Sequence, residues 1–233
     1  MIENAQNVMF EIGEEAGVTR SDLVYAEIRR AIVQLRLRPG DRLSEADVAR
    51  QLGVSRQPVR EAFIKLSQAD LVAVLPQRGT LVRLISREDV ENAHFVREAI
   101  EVAAVRKAAL RADAAAIAGL REIVGQQSRT PGEDHIGFMR HDESFHEGIA
   151  RIAGTSRAWR VLEGLKAQLD RVRFLAIDEI TSSDAIVAEH HAIIDALEAR
   201  SPQRAEDAIR AHMAEILLSL PKLAAAHSDL FED

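Results

Sequence analysis

The 233-residue chain has no cysteine. That excludes disulfides and thiolate-bound metals or clusters, and it suits a reducing compartment. No apolar run approaches the roughly 20 residues that cross a bilayer. The start, Met1–Ile2–Glu3–Asn4, lacks the basic opening of a secretory signal. The chain is therefore expected to be cytoplasmic, with no membrane partner. Positive charge is also short overall, at a net −7, so contact with a polyanion has to be confined to part of the chain. With 47% hydrophobic residues, there is material for two domains with cores of their own.

One local pattern stands out. Ser44 can cap a helix with Asp47 three residues on, and Val48, Ala49 and Leu52 form an apolar edge. Gly53 sits where a helix end wants a left-handed residue. Ser55 can cap a second helix with Pro58 in its first turn. Val59, Ala62, Phe63 and Leu66 recur at helical spacing, which leaves Arg56, Gln57 and Arg60 facing solvent. Arginines so placed grip phosphates or read guanine, although an ordinary helical hairpin with a basic face has the same local pattern.

Strand-like Leu71–Leu75, a turn at Pro76–Gln77–Arg78–Gly79 and Thr80–Val82 then make a hairpin. A wing there would put the Arg78 cation within reach of a minor groove. Tyr25, Ile28, Ile32 and Leu35 mark an earlier helix ended by Arg38–Pro39–Gly40. Residues 21–86 hold eleven Lys/Arg against seven Asp/Glu, a +4 module in an acidic chain.

From about residue 87 the sequence is helical throughout, rich in alanine and poor in aromatics. Short breaks near 112–113, 129–132, 153–155, 181–183 and 200–202 cut it into about six amphipathic helices, an antiparallel bundle. Ser86 with Asp89 caps the first of them. The expected organisation is a flexible arm at 1–20, a winged helix-turn-helix at 21–86, a bundle at 87–222 and a tail at 223–233. The fold class is mainly all-α.

All eight histidines lie outside the winged segment. Asp142 and His146 share a helix face, His190 opens an apolar-periodic helix, and His212 lies in the last one. One carboxylate and three imidazoles can converge on a divalent transition metal, and a hydrogen-bonded set of helix residues is the plainer alternative. His191 follows His190 by about 100° and should point elsewhere, as should His141 beside Asp142.

Pro39–Gly40–Asp41–Arg42–Leu43, Leu52–Ala62, Leu71–Val72 and Arg78–Gly79 together resemble the N-terminal domain of GntR-family bacterial transcription regulators. That resemblance implies DNA contacts through Ser55, Arg56, Gln57, Arg60, Arg78 and Gly79. Ala46 stands where some members carry a base-reading arginine. The bundle resembles the FCD effector domain of the FadR-like branch. Asp142…His146, then His190 of the Glu189–His190 pair, and His212 match its metal ligands in order, with zinc first among the metals and nickel, manganese or iron as alternatives. Phe95–Glu101 resembles the first effector-domain helix, in which Arg97 would hold the carboxylate of a small organic acid. A surface pairing of Arg97 with Glu101 is the other reading. Arg171 and Arg173 are weaker candidates for the same cavity.

The resemblance thus implies a homodimer on a palindromic double-stranded operator, with affinity set by a small carboxylate effector. It implies no enzyme activity. A metal-sensing regulator and a metalloenzyme built on the same three histidines and aspartate are the alternatives.

Overall fold

The computed structural model describes residues 8–13, 17–75, 79–177 and 179–232. These residues divide into two compact units, one running to Asp89 and including residues 227–232, the other spanning Val90–Ala226.

In the first unit, α1 (Arg20–Val33), α2 (Glu45–Leu52) and α3 (Arg56–Gln68) surround a core of Val24, Ile28, Ala31, Ile32, Val59, Ala62, Phe63 and Leu66. α1 ends before Leu35, which adopts a positive φ of 55°. The Ser44 hydroxyl accepts from Asp47 N, and Gly53 closes α2 in the left-handed region at φ 64°, as the spacing predicts. Ser55 precedes α3 but its side chain makes no capping bond.

Strand β1 (Arg42–Leu43) joins β2 (Val72–Leu75) and β3 (Gly79–Val82) in an antiparallel sheet of order β1-β3-β2. The first of these was not expected, because two residues carry no alternation to read. Its register pairs Arg42 with Leu81 and Leu43 with Thr80. Phe10 is buried and the Arg36 guanidinium donates to the Met9 carbonyl, so this part of the arm has fixed partners.

The C-terminal residues complete this unit. Ile85 donates to the Leu230 carbonyl and accepts from Glu232 N, while Leu230 and Phe231 are buried. Arg38 pairs with Asp229, and Arg83 with Asp70 and Glu232.

The second unit is helical: α4 (Arg87–Ala109), α5 (Ala114–Ser128), α6 (His135–Ala153), α7 (Ser156–Leu165), α8 (Ala167–Ala176), α9 (Ser183–Glu198) and α10 (Pro202–Ala226). These are seven helices rather than about six, because the chain also breaks at Lys166. Gly164, in the last turn of α7, is the one local helix-weakening residue near that break. The break coincides with the Lys166 ammonium turning inward to bond Glu143 at 2.8 Å and Asp170 at 3.2 Å. The core joins Val105, Ala108, Leu120, Val124, Phe145, Ile149, Ile193, Leu197 and Ile209. Small alanines let the helices approach closely, and interdigitated packing of this kind supplies most of their stability. No helix among the described residues is long and apolar enough to cross a membrane.

Candidate metal centre and nucleic-acid interface

Helices α6, α9 and α10 bring Asp142, His146, His190 and His212 together, with one ligand atom from each lying within 4.8 Å of all the others. The i, i+4 spacing puts Asp142 and His146 on the inner face of α6. His191 and His141 are outside this group.

The outer ring nitrogens explain the orientation of the inner ones. His146 Nδ1 faces Glu101 Oε2 at 2.5 Å, and His190 Nδ1 faces Gln127 Oε1 at 2.8 Å. His212 Nδ1 faces Glu189 Oε2 at 2.8 Å. Oxygens of this kind accept, so each Nδ1 donates and each Nε2 keeps its lone pair.

Those lone pairs converge. His146 Nε2 and His212 Nε2 are 3.3 Å apart, while His190 Nε2 is buried without a hydrogen-bond partner and lies 3.5 Å from Asp142 Oδ1. Facing acceptors repel unless a cation lies among them. The 3.3 Å spacing also matches the edge of a tetrahedron with metal–nitrogen bonds of about 2.1 Å. The donor set fits a divalent transition metal.

Charge in the site is arranged to match. Burial and neighbouring His212 push His190 well below the usual imidazole range. Burial and His146 bring His212 down to about 3. Both rings are neutral, the form that ligates a metal. Burial alone would raise the Asp142 carboxyl, but Arg173 beside it outweighs this and keeps it ionised. Arg173 is held in turn by Asp170 at 3.2 Å. Burial likewise opposes ionisation of Glu101, and Arg97 with His146 overcomes it. Glu189 is pushed up to about 7 by burial and by Glu215.

Arg97 is not the surface partner that its spacing allows. It pairs with Glu101 at 2.5 Å, yet only 4% of it is exposed. Its Nη2 is buried with no partner, and the residue lines a cavity of about 580 Å³, open mouth included. Asp142, Arg173, Glu189, His212 and Glu215 line it too. A chain of contacts therefore runs from Arg97 through Glu101 to His146. Gln127 was absent from the sequence-derived set, as were the contact of Glu189 with His212 and any link from Glu101 to His146. Gln127 lies on another helix, and no local signal marks it. Arg171 is fully buried and donates to Gln168.

In the first unit, Arg56, Gln57 and Arg60 are exposed on one side of α3. Gln57 donates to Glu61, and Arg60 makes a two-pronged contact with Glu45 at 3.2 and 3.1 Å. The Ser55 hydroxyl, free of capping duty, sits at the start of the same helix. Gly79 opens β3 with φ 86°, and Arg78 lies outside the described residues.

The comparisons agree across the chain. Residues 20–82 match the model described as "Bacterial regulatory proteins, gntR family", and residues 92–215 match the FCD domain. The chain is 36% identical over 211 residues to the HTH-type transcriptional repressor RspR of Escherichia coli (strain K12), covering 90% of this chain and 92% of that one. It is 34% identical over 215 residues to an HTH-type transcriptional regulator in an unstable DNA locus of Streptomyces ambofaciens, covering 92% and 91%. Among solved structures, a GntR transcriptional regulator from Rhodococcus sp. RHA1 aligns with TM-score 0.69 and 28% identity over 86% of this chain and 98% of that one. E. coli McbR/YncC shares the fold at TM-score 0.76 and 20% identity, covering 88% and 98%. Matched at both domains and over nine-tenths of its length, the chain belongs to the GntR family of bacterial regulatory proteins and is a transcriptional regulator with an FCD domain.

Proposed function

We propose that this regulator holds a divalent transition metal on Asp142, His146, His190 and His212, and binds a small carboxylate beside it that changes its affinity for a palindromic operator. The observation that carries this reading is the convergence of three Nε2 lone pairs and a carboxylate, each imidazole turned by an acceptor on its other nitrogen. A bound metal would supply open coordination positions for the oxygens of an anion.

The protein's own groups do the rest. Arg97 Nη2 is a buried donor lacking a partner, which costs stability until an acceptor arrives. A carboxylate in the cavity that Arg97 lines would supply that acceptor. Arg173 keeps Asp142 ionised, and Glu101 holds both Arg97 and the His146 ring. The ligand alters DNA binding only to the extent that it favours one arrangement of the regulator over another.

On DNA, α3 would enter the major groove, with Ser55 and Arg56 suited to phosphate and Gln57 and Arg60 suited to base edges. Glu45 holds the Arg60 guanidinium by both prongs, presenting it in one orientation. The wing, with Gly79 and Arg78, would reach the adjacent minor groove. Two copies on a two-fold axis would match the palindrome.

The test begins with chelator-treated protein titrated with Zn2+. The Trp159 ring lies 6.4 Å from that of His146 and is the only tryptophan, so its fluorescence reports occupancy directly. One metal per chain is expected, lost in His146→Ala. A carboxylate at about a hundred times its dissociation constant should add roughly 2.7 kcal/mol of stability and shift operator affinity, in the loaded protein only. Absence of stoichiometric binding would end the metal reading. If Zn2+ alone moves operator affinity and no acid does, the metal itself is the signal.

A further inference from the structure

We infer that the cavity is built for a carboxylic acid carrying a hydrogen-bond donor, hydroxyl or ammonium, away from its carboxylate, and that it discriminates against dicarboxylates. This deepens the proposed effector role and rests on it.

The walls differ in kind. Arg97 and Arg173 contribute the cations, and Arg97 Nη2 is a buried donor with nothing to donate to. Apart from Thr181 and the proposed ligands Asp142 and His212, the remaining polar lining is acidic: Glu189 and Glu215. Neither has a lysine or arginine partner among the described residues. The arginines are engaged elsewhere, Arg97 with Glu101 and Arg173 with Asp142, Glu143 and Asp170. Glu189 has only the His212 ring. Glu215 Oε1 accepts from Thr181 at 3.1 Å and Ser219 at 3.3 Å, while its Oε2 has no hydrogen bond among the described residues.

An acidic wall of this kind disfavours a further anion. A donor or cation on the ligand avoids that penalty and meets the open acceptor on Glu215. Phe138, Met139, Ile177, Ile186, Met213 and Ile216 add apolar surface to the same cavity. A ligand with a carboxylate for Arg97, an aliphatic stretch and a donor for Glu215 would meet all three kinds of lining. A second carboxylate would face Glu189 and Glu215, a like-charge contact that specific sites use to reject wrong partners.

The experiment is calorimetric titration of Zn2+-loaded protein with butyrate, 4-hydroxybutyrate, 4-aminobutyrate and succinate, which share a four-carbon skeleton and differ at the far end. Propionate, 3-hydroxypropionate, β-alanine and malonate repeat the comparison at three carbons. In at least one series, the hydroxy or amino acid should bind ten-fold or more tightly than the plain acid, and the dicarboxylate more weakly than the plain acid. Glu215→Gln should lower the preference for the amino acid over the dicarboxylate by ten-fold or more, while Glu215→Asp keeps the native order. Circular dichroism melting of each variant establishes that it is folded.

A dicarboxylate binding as tightly as the plain acid, or a plain acid matching both donor-bearing acids, overturns this inference and leaves the carboxylate reading standing. The same holds if Glu215→Gln preserves the native order. If no acid binds, or if Arg97→Ala binds all of them as the native protein does, the effector reading itself fails and the inference goes with it.

Discussion

Replacing Glu101 by glutamine keeps its shape and removes its charge, and the consequences can be worked from its two partners. Glu101 is 5% exposed, accepts from Arg97 Nε at 2.5 Å and faces His146 Nδ1 at 2.5 Å. A carboxamide offers one oxygen and one NH2, so it can accept from only one of these donors and must turn its own hydrogens to the other. If the oxygen stays with Arg97, His146 has to switch tautomer and lose the lone pair on Nε2. If it stays with His146, Arg97 is left buried beside a donor.

Either way a buried cation loses its counter-charge, a change worth about 3–5 kcal/mol. Outer partners of metal ligands are typically worth 10–100-fold in affinity, or about 1.4–2.7 kcal/mol. Glu101→Gln should therefore destabilise the metal-free protein by several kcal/mol in urea unfolding and weaken Zn2+ ten-fold or more in chelator competition, read through Trp159. A loss under 1 kcal/mol with unchanged Zn2+ affinity would refute the coupling of Arg97 to His146 through this carboxylate.

Three further outcomes are expected. Unfolded His190 and His212 take up protons near pH 6.5, whereas folded His212 resists to about 3 and His190 also stays low, so metal-free stability should fall as pH drops below about 6.5. Glu189, raised to about 7, opposes this weakly because it is partly solvated; a net slope of about 1.4–2.7 kcal/mol per pH unit remains. A flat urea-midpoint profile between pH 6.5 and 5 would count against neutral imidazoles. Arg60→Ala should cost about 1–3 kcal/mol in operator binding and relax preference at one base pair; equal loss on all sequences would make it a phosphate contact. Gly79→Ala should destabilise the protein by about 1–2 kcal/mol, since φ 86° strains an L-residue and the new Cβ would sit 3.3 Å from the Leu43 carbonyl. An unchanged urea midpoint would contradict that.

What could be read from the sequence followed the range of the forces involved. The turn at Gly53, the Ser44 cap and the stripe from Val59 to Leu66 are set by neighbours within one or two helical turns, so spacing revealed them. The break at Lys166 coincides with a contact to Glu143, 23 residues away, and has only Gly164 as a local sign, while β1 depends on pairing with β3, which two residues cannot announce. Asp142 and His146 share a face by period alone, but their meeting with His190 and His212 is a product of packing. Residue types and spacing raised that convergence as one reading beside a plain hydrogen-bonded set, and resemblance to a family favoured it. Gln127, 63 residues from His190, had no signal at all. Arg97 shows both sides of this: its pairing with Glu101 was readable from i, i+4 spacing, whereas its burial was not.

The return of residues 227–232 to Ile85 makes the second unit an insertion within the first. Translation is N-terminal first, so the DNA-reading unit remains incomplete until the whole effector helix bundle has been synthesised. Until then Ile85 lacks both backbone partners, and the places of Leu230 and Phe231 in the core are unfilled. Those two side chains alone represent about 3–6 kcal/mol of burial, comparable with the net stability of a small domain. A nascent chain that stalls within the bundle, or a fragment cut after residue 89, should therefore be a poor operator binder, so that stable binding is reserved for chains that already carry the FCD domain.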